Sequence, residues 1–446
     1  MRRIVAGPGR VAAGNCCEDR GMDTSSRDWA DTAIWWHVYP LGFVGAQTTP
    51  GDPGARPVEH TLGRLTAWLD DLVALGCNGL LLGPVFASES HGYDTVDHRR
   101  VDPRLGDDAD LDALVAACRE RGVRVLLDGV FNHVGRGHPW WRAAVEAGPG
   151  SPEAARFRSG DGERVVDGVP VVPFEGHDAL VTLDHANPEV VSEVADVMAH
   201  WLDRGIDGWR LDAAYAVDPE FWRATVGPLR ERFPAAWFVG EMIHGDYVAY
   251  VEESGLDSVT EYELWAAVRG AISSLNLFEL SWTLGRHDGF AERFLPQTFL
   301  GNHDVTRLAS ALDPRHVGHA VAILFFVAGA PSVYAGDERG LTGVKEERFG
   351  GDDAVRQEFP ADPGEWPPSD IYRTHQEAIA FRRRNPWLAR ATIEVQDLTN
   401  TSAVLVASGP AGERAELALN LGDDVARGAS GEIAPHAWRL RGPQEV

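Results

Sequence analysis

Val123-Arg124-Val125-Leu126-Leu127-Asp128-Gly129-Val130-Phe131-Asn132-His133 opens as an apolar run of strand length and then turns polar at or just beyond the strand's end. Three further segments repeat that design: Asp207-Gly208-Trp209-Arg210-Leu211-Asp212, Trp237-Phe238-Val239-Gly240-Glu241 and Thr298-Phe299-Leu300-Gly301-Asn302-His303-Asp304. Short apolar runs at 34–39, 78–82, 257–259 and 332–334 bring the candidate strands to eight. Helical patterns lie between them, with Leu62, Leu65, Leu69, Leu72 and Leu75, or Leu111, Leu114, Val115 and Cys118, recurring at intervals of three and four. Asp110 and Asp218 stand where an N-cap belongs, and Gly76 and Gly122 where a helix stops. Strands alternating with helices in this number predict an α/β fold, a (β/α)8 TIM barrel with insertions.

Two stretches leave that rhythm. Residues 134–181, rich in Gly, Pro, Arg and Asp, are too long for a plain connection and read as an excursion domain after the third strand. From 391 to 446 the pattern alternates, as in Ser402-Ala403-Val404-Leu405-Val406, which predicts a β-sandwich-like C-terminal domain. The barrel then comprises 33–133 and 182–390, and residues 1–32 read as an N-terminal extension, partly disordered. With 41 Lys+Arg against 67 Asp+Glu the net charge is −26, which repels phosphate backbones and anionic lipid heads. Neither nucleic acid nor membrane is expected as a partner. No uninterrupted apolar leader opens the chain, and the 4 cysteines show no metal spacing or disulfide framework. A cytoplasmic monomer is the expectation.

In a (β/α)8 barrel the active-site face is formed by the C-terminal ends of the strands, whatever the reaction. Asp212, Glu241 and Asp304 are therefore expected to converge after strands four, five and seven. Two carboxylates flanking a bond, with a third bracing the sugar, is the layout for glycoside hydrolysis. Crowded carboxylates raise one pKa and keep a proton for the leaving oxygen. Arg210, two residues before Asp212 on the same strand face, is expected to hold that carboxylate ionised. Taken singly, each residue has an ordinary reading. Asp128 alone reads as a helix cap or structural acceptor, His303 as a satisfied histidine, and Trp35, Trp36, Trp140 and Trp141 as packing. Asp352 with Arg356 reads equally as a surface ion pair across one helical turn.

The ordered set is more specific than its members. It resembles the four signature regions of the α-amylase family (glycoside hydrolase family 13). The resemblance extends over 33–390 through the loop His91-Gly92-Tyr93-Asp94-Thr95-Val96-Asp97-His98, through Val101-Asp102-Pro103, and through Pro331-Ser332-Val333-Tyr334-Ala335-Gly336-Asp337-Glu338. It implies a retaining mechanism, with Asp212 as nucleophile, Glu241 as acid/base and Asp304 gripping sugar hydroxyls near the transition state. It further implies His133 and His303 as hydroxyl-binding histidines and Tyr93 as the stacking aromatic. Retention predicts Asp212 and Glu241 carboxyls about 5–5.5 Å apart.

Within the family the chain is most similar to the cyclomaltodextrinase, neopullulanase and maltogenic amylase group. Asp352 and Arg356 resemble that group's pair at subsite −2, and Leu183 before Asn187-Pro188-Glu189-Val190 resembles it too. Several positions depart. The group's N-terminal β-sandwich has no counterpart in the residues before the first strand. Tyr215 stands where the group has Asn and other amylases Lys, and Ile243-His244 where a Trp is expected, so Tyr215 and His244 are assigned to the leaving-group subsites. Ser90 replaces an Asp found in exo-acting α-glucosidases, which predicts a cleft. Asn132 matches a calcium ligand of many α-amylases, but the aspartate expected near Thr182 is missing. Six to eight oxygens are then hard to assemble, and no metal or cofactor is expected.

The reading is a retaining α-glucan hydrolase cleaving α-1,4 bonds, with α-1,6 bonds a second candidate, in short linear or cyclic maltooligosaccharides. Its rivals are a family transglycosylase or glucan isomerase such as a trehalose-forming enzyme, a general α-amylase, and a catalytically inert binding protein.

Overall fold

A computed structural model describes residues 27–348 and 350–443. The expected N-terminal extension falls mostly outside the described residues, as do Cys16 and Cys17. All eight runs are strands of one parallel sheet: β1 (Trp35–Val38), β2 (Gly79–Leu82), β3 (Arg124–Gly129), β4 (Gly208–Leu211), β5 (Trp237–Gly240), β6 (Ser258–Val259), β7 (Gln297–Phe299) and β8 (Ala330–Tyr334). Their order, β6-β5-β4-β3-β2-β1-β8-β7, leaves β6 and β7 at the edges. Those edges meet through a parallel bridge between Thr260 and Gln297, where the Glu261 N–H donates to the Gln297 carbonyl at 3.0 Å. Every residue of the eight strands is buried, which is why they read as continuous apolar runs rather than alternating ones.

Packing inside the barrel sets where bulk is allowed. Trp35 of β1 and Trp237 of β5 stack with centroids 5.8 Å apart and planes 12° apart. Gly79 opens β2 because a Cβ there would lie 2.3 Å from the Trp35 ring. Gly208 opens β4 for a harder reason: its Cβ would lie 1.9 Å from the Trp237 backbone carbonyl. Trp36 and Trp141 are also buried, whereas Trp140 is half-buried beneath the Arg156 guanidinium.

The outer helices follow their caps. Asn187 caps Pro188–Asp203 and Asp218 caps Pro219–Arg232, each with Pro at the first helical position. The expectation for Asp110 needs correction. Asp107 is the cap of Asp108–Glu120, and Asp110 is the third helical residue, returning its side chain to the Asp107 N–H at 2.8 Å in a capping box. The run from Leu62 to Leu75 is two helices, Gly63–Ala67 and Leu69–Leu75, that meet at Trp68; the second ends on Gly76 at φ 103°.

Two excursions rise above the barrel. After β2 the chain makes an antiparallel pair, Phe86–Ser88 with Thr95–Val101. After β3, His133–Gly135 pairs with Leu180–Thr182, enclosing a helix (Pro139–Ala147) and a hairpin (Arg164–Val166 with Val169–Val171). The C-terminal part is an antiparallel sheet of β9 (Thr392–Gln396), β10 (Ser402–Ser408), β11 (Arg414–Asn420) and β12 (Ala437–Arg441). A hairpin, Ala426–Gly428 with Gly431–Ile433, lies near it, and Val404, Val406, Ala418 and Ile433 form a small core. Among the described residues no helix is long and apolar enough to cross a membrane, and Cys77 and Cys118 are buried free thiols.

Candidate active site

Arg210 organises the C-terminal mouth of the barrel. Its Nη1 donates to both oxygens of Asp128 at 2.8 Å and to Asp212 Oδ1 at 2.9 Å, while Nη2 lies 2.6 Å from Glu241 Oε1. These four side chains come from the ends of β3, β4 and β5 and are buried, with residue exposures of 0 to 6%. The two-residue spacing of Arg210 and Asp212 puts both on one strand face, as the alternation of a strand requires. Of the two ordinary readings of Asp128, helix cap and structural acceptor, the structure bears out the acceptor, and places it inside the site. It bonds Arg210 and also accepts from the Tyr93 hydroxyl at 3.2 Å.

Glu241 is aimed by the turn after β4. Its Oε2 accepts the Ala213 N–H at 2.9 Å, and Ala213 adopts a left-handed conformation, φ 46°, that presents this donor. Tyr262, just past β6, places its hydroxyl 3.5 Å from Glu241 Oε1 and accepts from Asn302 Nδ2 at 2.8 Å. Asn302 Oδ1 in turn accepts the Asp304 N–H at 2.9 Å, which links the β5 and β7 carboxylates through two bridging side chains.

Asp304 is gripped from the other side. His303 Nε2 lies 3.0 Å from Asp304 Oδ2, and Arg356 Nη2 donates to Oδ1 at 2.8 Å. The His303 ring is nearly parallel to two tyrosines, Tyr93 at 5.3 Å and 5° and Tyr39 at 5.8 Å and 9°, and it also bonds the Tyr93 hydroxyl. Arg356 covers Tyr39 at 4.7 Å, donates from Nε to the His303 carbonyl at 3.0 Å, and meets Asp352 Oδ2 at 3.0 Å. The surface-pair reading of Asp352 and Arg356 is therefore corrected. Arg356 is almost wholly buried and ties Asp352 to the site through Asp304.

The electrostatics follow from three carboxylates sharing one guanidinium. Burial pushes Asp212 well above the usual carboxylate range, and the Glu241 and Asp128 charges add to that against Arg210's opposing pull. Asp128 moves up for the same first cause. Asp304 goes the other way. Burial alone raises it, but the charge and hydrogen bond of His303, then Arg356 and Arg210, hold it far below the normal range. Burial therefore favours a retained proton on the Asp128–Asp212 pair, against the expectation that Arg210 keeps Asp212 ionised.

The remaining assigned residues divide. His133 is buried, bonds the Tyr93 carbonyl through Nε2 at 3.0 Å and the Asn132 amide through Nδ1 at 3.1 Å, and stacks on Phe174 at 4.5 Å. Both its nitrogens are on protein partners, and burial pushes it down to about 3. Tyr215 contacts the His244 ring at 5.6 Å and donates its hydroxyl to Glu175 at 2.8 Å. Ser90 is buried and bonded to Asp94 through its amide and hydroxyl. Asn132 Oδ1 is buried without a hydrogen-bond partner, as a ligand atom would be. Thr182, which pairs with His133 in the adjoining strand, offers no carboxylate, and the one group of three His, Cys, Asp or Glu side chains among the described residues whose ligand atoms lie close enough together to hold a metal is His60, Asp107 and Asp110, away from this site. The donor set does not fit a hard cation.

Tyr39, Tyr262, Phe174 and Glu175 belong to this constellation and escaped sequence reasoning. The strand-end rule applied to all eight strands would have found Tyr39 and Tyr262, which follow β1 and β6. No local signal marks Phe174 or Glu175.

Comparison with known proteins agrees with this fold. The family description "Alpha amylase, catalytic domain" matches residues 38–161 and 174–401. A cyclomaltodextrinase of a Bacillus species is 31% identical over 393 residues, covering 82% of this chain and 68% of that protein. The intracellular maltogenic amylase of Bacillus subtilis is 28% identical over 72% of this chain and 57% of its own length. Many such relatives thus extend well beyond the matched region. Among solved structures, the cyclic α-maltosyl-(1→6)-maltose hydrolase of Arthrobacter globiformis, in complex with cyclic α-maltosyl-(1→6)-maltose, superposes with a TM-score of 0.80 at 26% identity, covering 93% of this chain and 99% of that one.

Proposed function

Since the chain belongs to the α-amylase family of glycoside hydrolases, we propose that it is a retaining hydrolase of short and cyclic maltooligosaccharides. The observation that carries this reading is the single Arg210 guanidinium touching both Asp212 and Glu241. One small group reaching two carboxyls supports the narrow spacing of retaining enzymes over the wider gap that an inverting enzyme leaves for water.

In this mechanism Asp212 attacks the anomeric carbon while Glu241 donates its proton to the leaving glycosidic oxygen. The C–O bond to the leaving sugar breaks, and a glycosyl ester on Asp212 forms. Glu241, now a carboxylate, takes a proton from water, which attacks the ester and restores both groups. Arg210 releases Asp212's negative charge onto the reacting carbon without moving, because Asp128 also holds it in place. Asp304, kept ionised by His303 and Arg356, accepts hydrogen bonds from the sugar as positive charge develops. Tyr93, stacked on His303, offers the ring face beneath it.

The substrate class rests on likeness. The Arthrobacter enzyme, matched over nearly its whole length, is a hydrolase of cyclic α-maltosyl-(1→6)-maltose, and cyclomaltodextrinases are among the similar proteins. We extend this to α-1,4 bonds and, in bridged rings, α-1,6 bonds. Action in the cytoplasm is supported by the intracellular maltogenic amylase relative.

Product chromatography tests the reading on maltotriose, maltohexaose, cyclic maltooligosaccharides with and without α-1,6 bridges, pullulan and soluble starch. Ring opening with little attack on starch is the expected result. Failure to open any ring removes the cyclic assignment, and longer or rearranged sugars point to transfer instead of hydrolysis. Asp212→Asn is expected to lower kcat by about ten-thousandfold. Glu241→Gln is expected to lose far more on natural sugars than on an aryl α-maltoside whose leaving group needs no proton.

A further inference from the structure

The loop tip at Phe174-Glu175-Gly176 reaches over the mouth of the barrel. Phe174 is stacked flat on His133, anchoring the tip above the end of β3. Glu175 follows at φ 48°, ψ 26°, a left-handed conformation unfavourable for a residue with a Cβ. In that conformation its exposed carboxylate accepts the Tyr215 hydroxyl at 2.8 Å. Tyr215 itself is tied to the site, because its N–H donates to the Glu241 carbonyl at 3.1 Å and its ring meets His244. Tyr215 therefore joins the loops that follow β3, β4 and β5 through two hydrogen bonds. It does so beside Glu241, where the leaving sugar must sit if Glu241 is to protonate its oxygen.

We propose that Glu175 and Tyr215 form a specificity-determining closure on the leaving-group side, which bars a continuing glucan polymer and admits leaving groups that end there or rings that turn back. The proposal rests on the glucan-hydrolase reading above. A linear chain running on past Glu241 meets the bridge, and breaking it costs a carboxylate–phenol hydrogen bond, while a short leaving group does not reach it. The tolerated strain at Glu175 is consistent with a position held by its surroundings for a task.

The test compares kcat/KM for soluble starch and for maltotriose across wild type, Glu175→Ala, Tyr215→Phe, their double variant and Glu175→Gln, with thermal melts on each protein. Glu175 is exposed, so its removal is not expected to unfold the chain. The starch-to-maltotriose ratio should rise about fivefold in each single variant, the worth of one hydrogen bond, with no further rise in the double because both break the same bond. Glu175→Gln keeps an oxygen acceptor and should stay near the wild-type ratio. Ratios within about twofold of wild type in both single variants, or effects that multiply in the double, overturn the proposal. Wild-type protein inactive on every α-glucan sinks the functional reading and the closure together.

Discussion

At the scale of single residues, the site is a contest between burial and charge. Arg210 contributes one positive charge to three buried carboxylates, so full ionisation leaves an excess of negative charge away from water. Asp128 is the member that the proposed chemistry does not consume, which makes it a probe of that balance. Asp128→Asn removes one like charge, so Asp212 releases its proton more readily. The acid limb of the kcat/KM profile, on which Asp212 must be ionised to attack, should then move to lower pH by about one unit. A pH–rate series on both proteins measures it, and an unmoved or alkaline-shifted limb contradicts the shared-proton account. The three candidate carboxylates are legible in sequence because each follows a strand end. Sequence leaves Asp128 open between a cap and a structural acceptor, and only its proximity to Arg210 decides for the acceptor.

At the scale of elements, strand packing is least forgiving where two backbones approach. Gly208 begins β4 between Leu126 of β3 and Trp237 of β5. Its missing Cβ makes room for the Trp237 carbonyl. Gly208→Ala should destabilise the fold by about 3 kcal/mol, since backbone cannot swing aside as a side chain can; equilibrium denaturation reads this, and a loss near zero would show that the strand shifts freely. Helix starts carry smaller stakes. Asp107→Ala removes both the cap and its half of the capping box, at a cost of about 1 kcal/mol, while Asp110→Ala should cost less because the Asp107 cap remains. Equal costs would restore the reading in which Asp110 leads. Sequence could place this helix but not choose among Asp107, Asp108 and Asp110, because all three can cap and the backbone turn selects one. It could not foresee the break at Trp68 either, since the leucine spacing runs through it.

At the scale of the whole molecule, several histidines are folded into apolar surroundings and stay neutral. Burial pushes His319, at the junction with the C-terminal sheet, and His375, on the Asp370–Arg384 helix, each down to about 4. The unfolded chain binds protons at these sites near pH 6.5 and the folded chain does not, so stability is full above that value and drains as pH falls towards 4. Each site is worth roughly 3 kcal/mol over that window. Thermal melts between pH 7.5 and 4.5 should fall steeply, and His319→Gln with His375→Gln should flatten the slope; an unchanged slope assigns acid sensitivity to other groups. Larger features divide in the same physical way. The amino-acid order by itself determined the eight-strand barrel, the all-β end and the three catalytic candidates, because buried strands need continuous apolar runs and a barrel aims their ends at one face. Only the tertiary structure decided that Asp128 shares Arg210 with Asp212 and Glu241, that Arg356 braces Asp304, and that Glu175 reaches Tyr215. Those contacts join residues 31 to 82 positions apart, and nothing in a local pattern encodes which distant side chains share one guanidinium or one hydrogen bond.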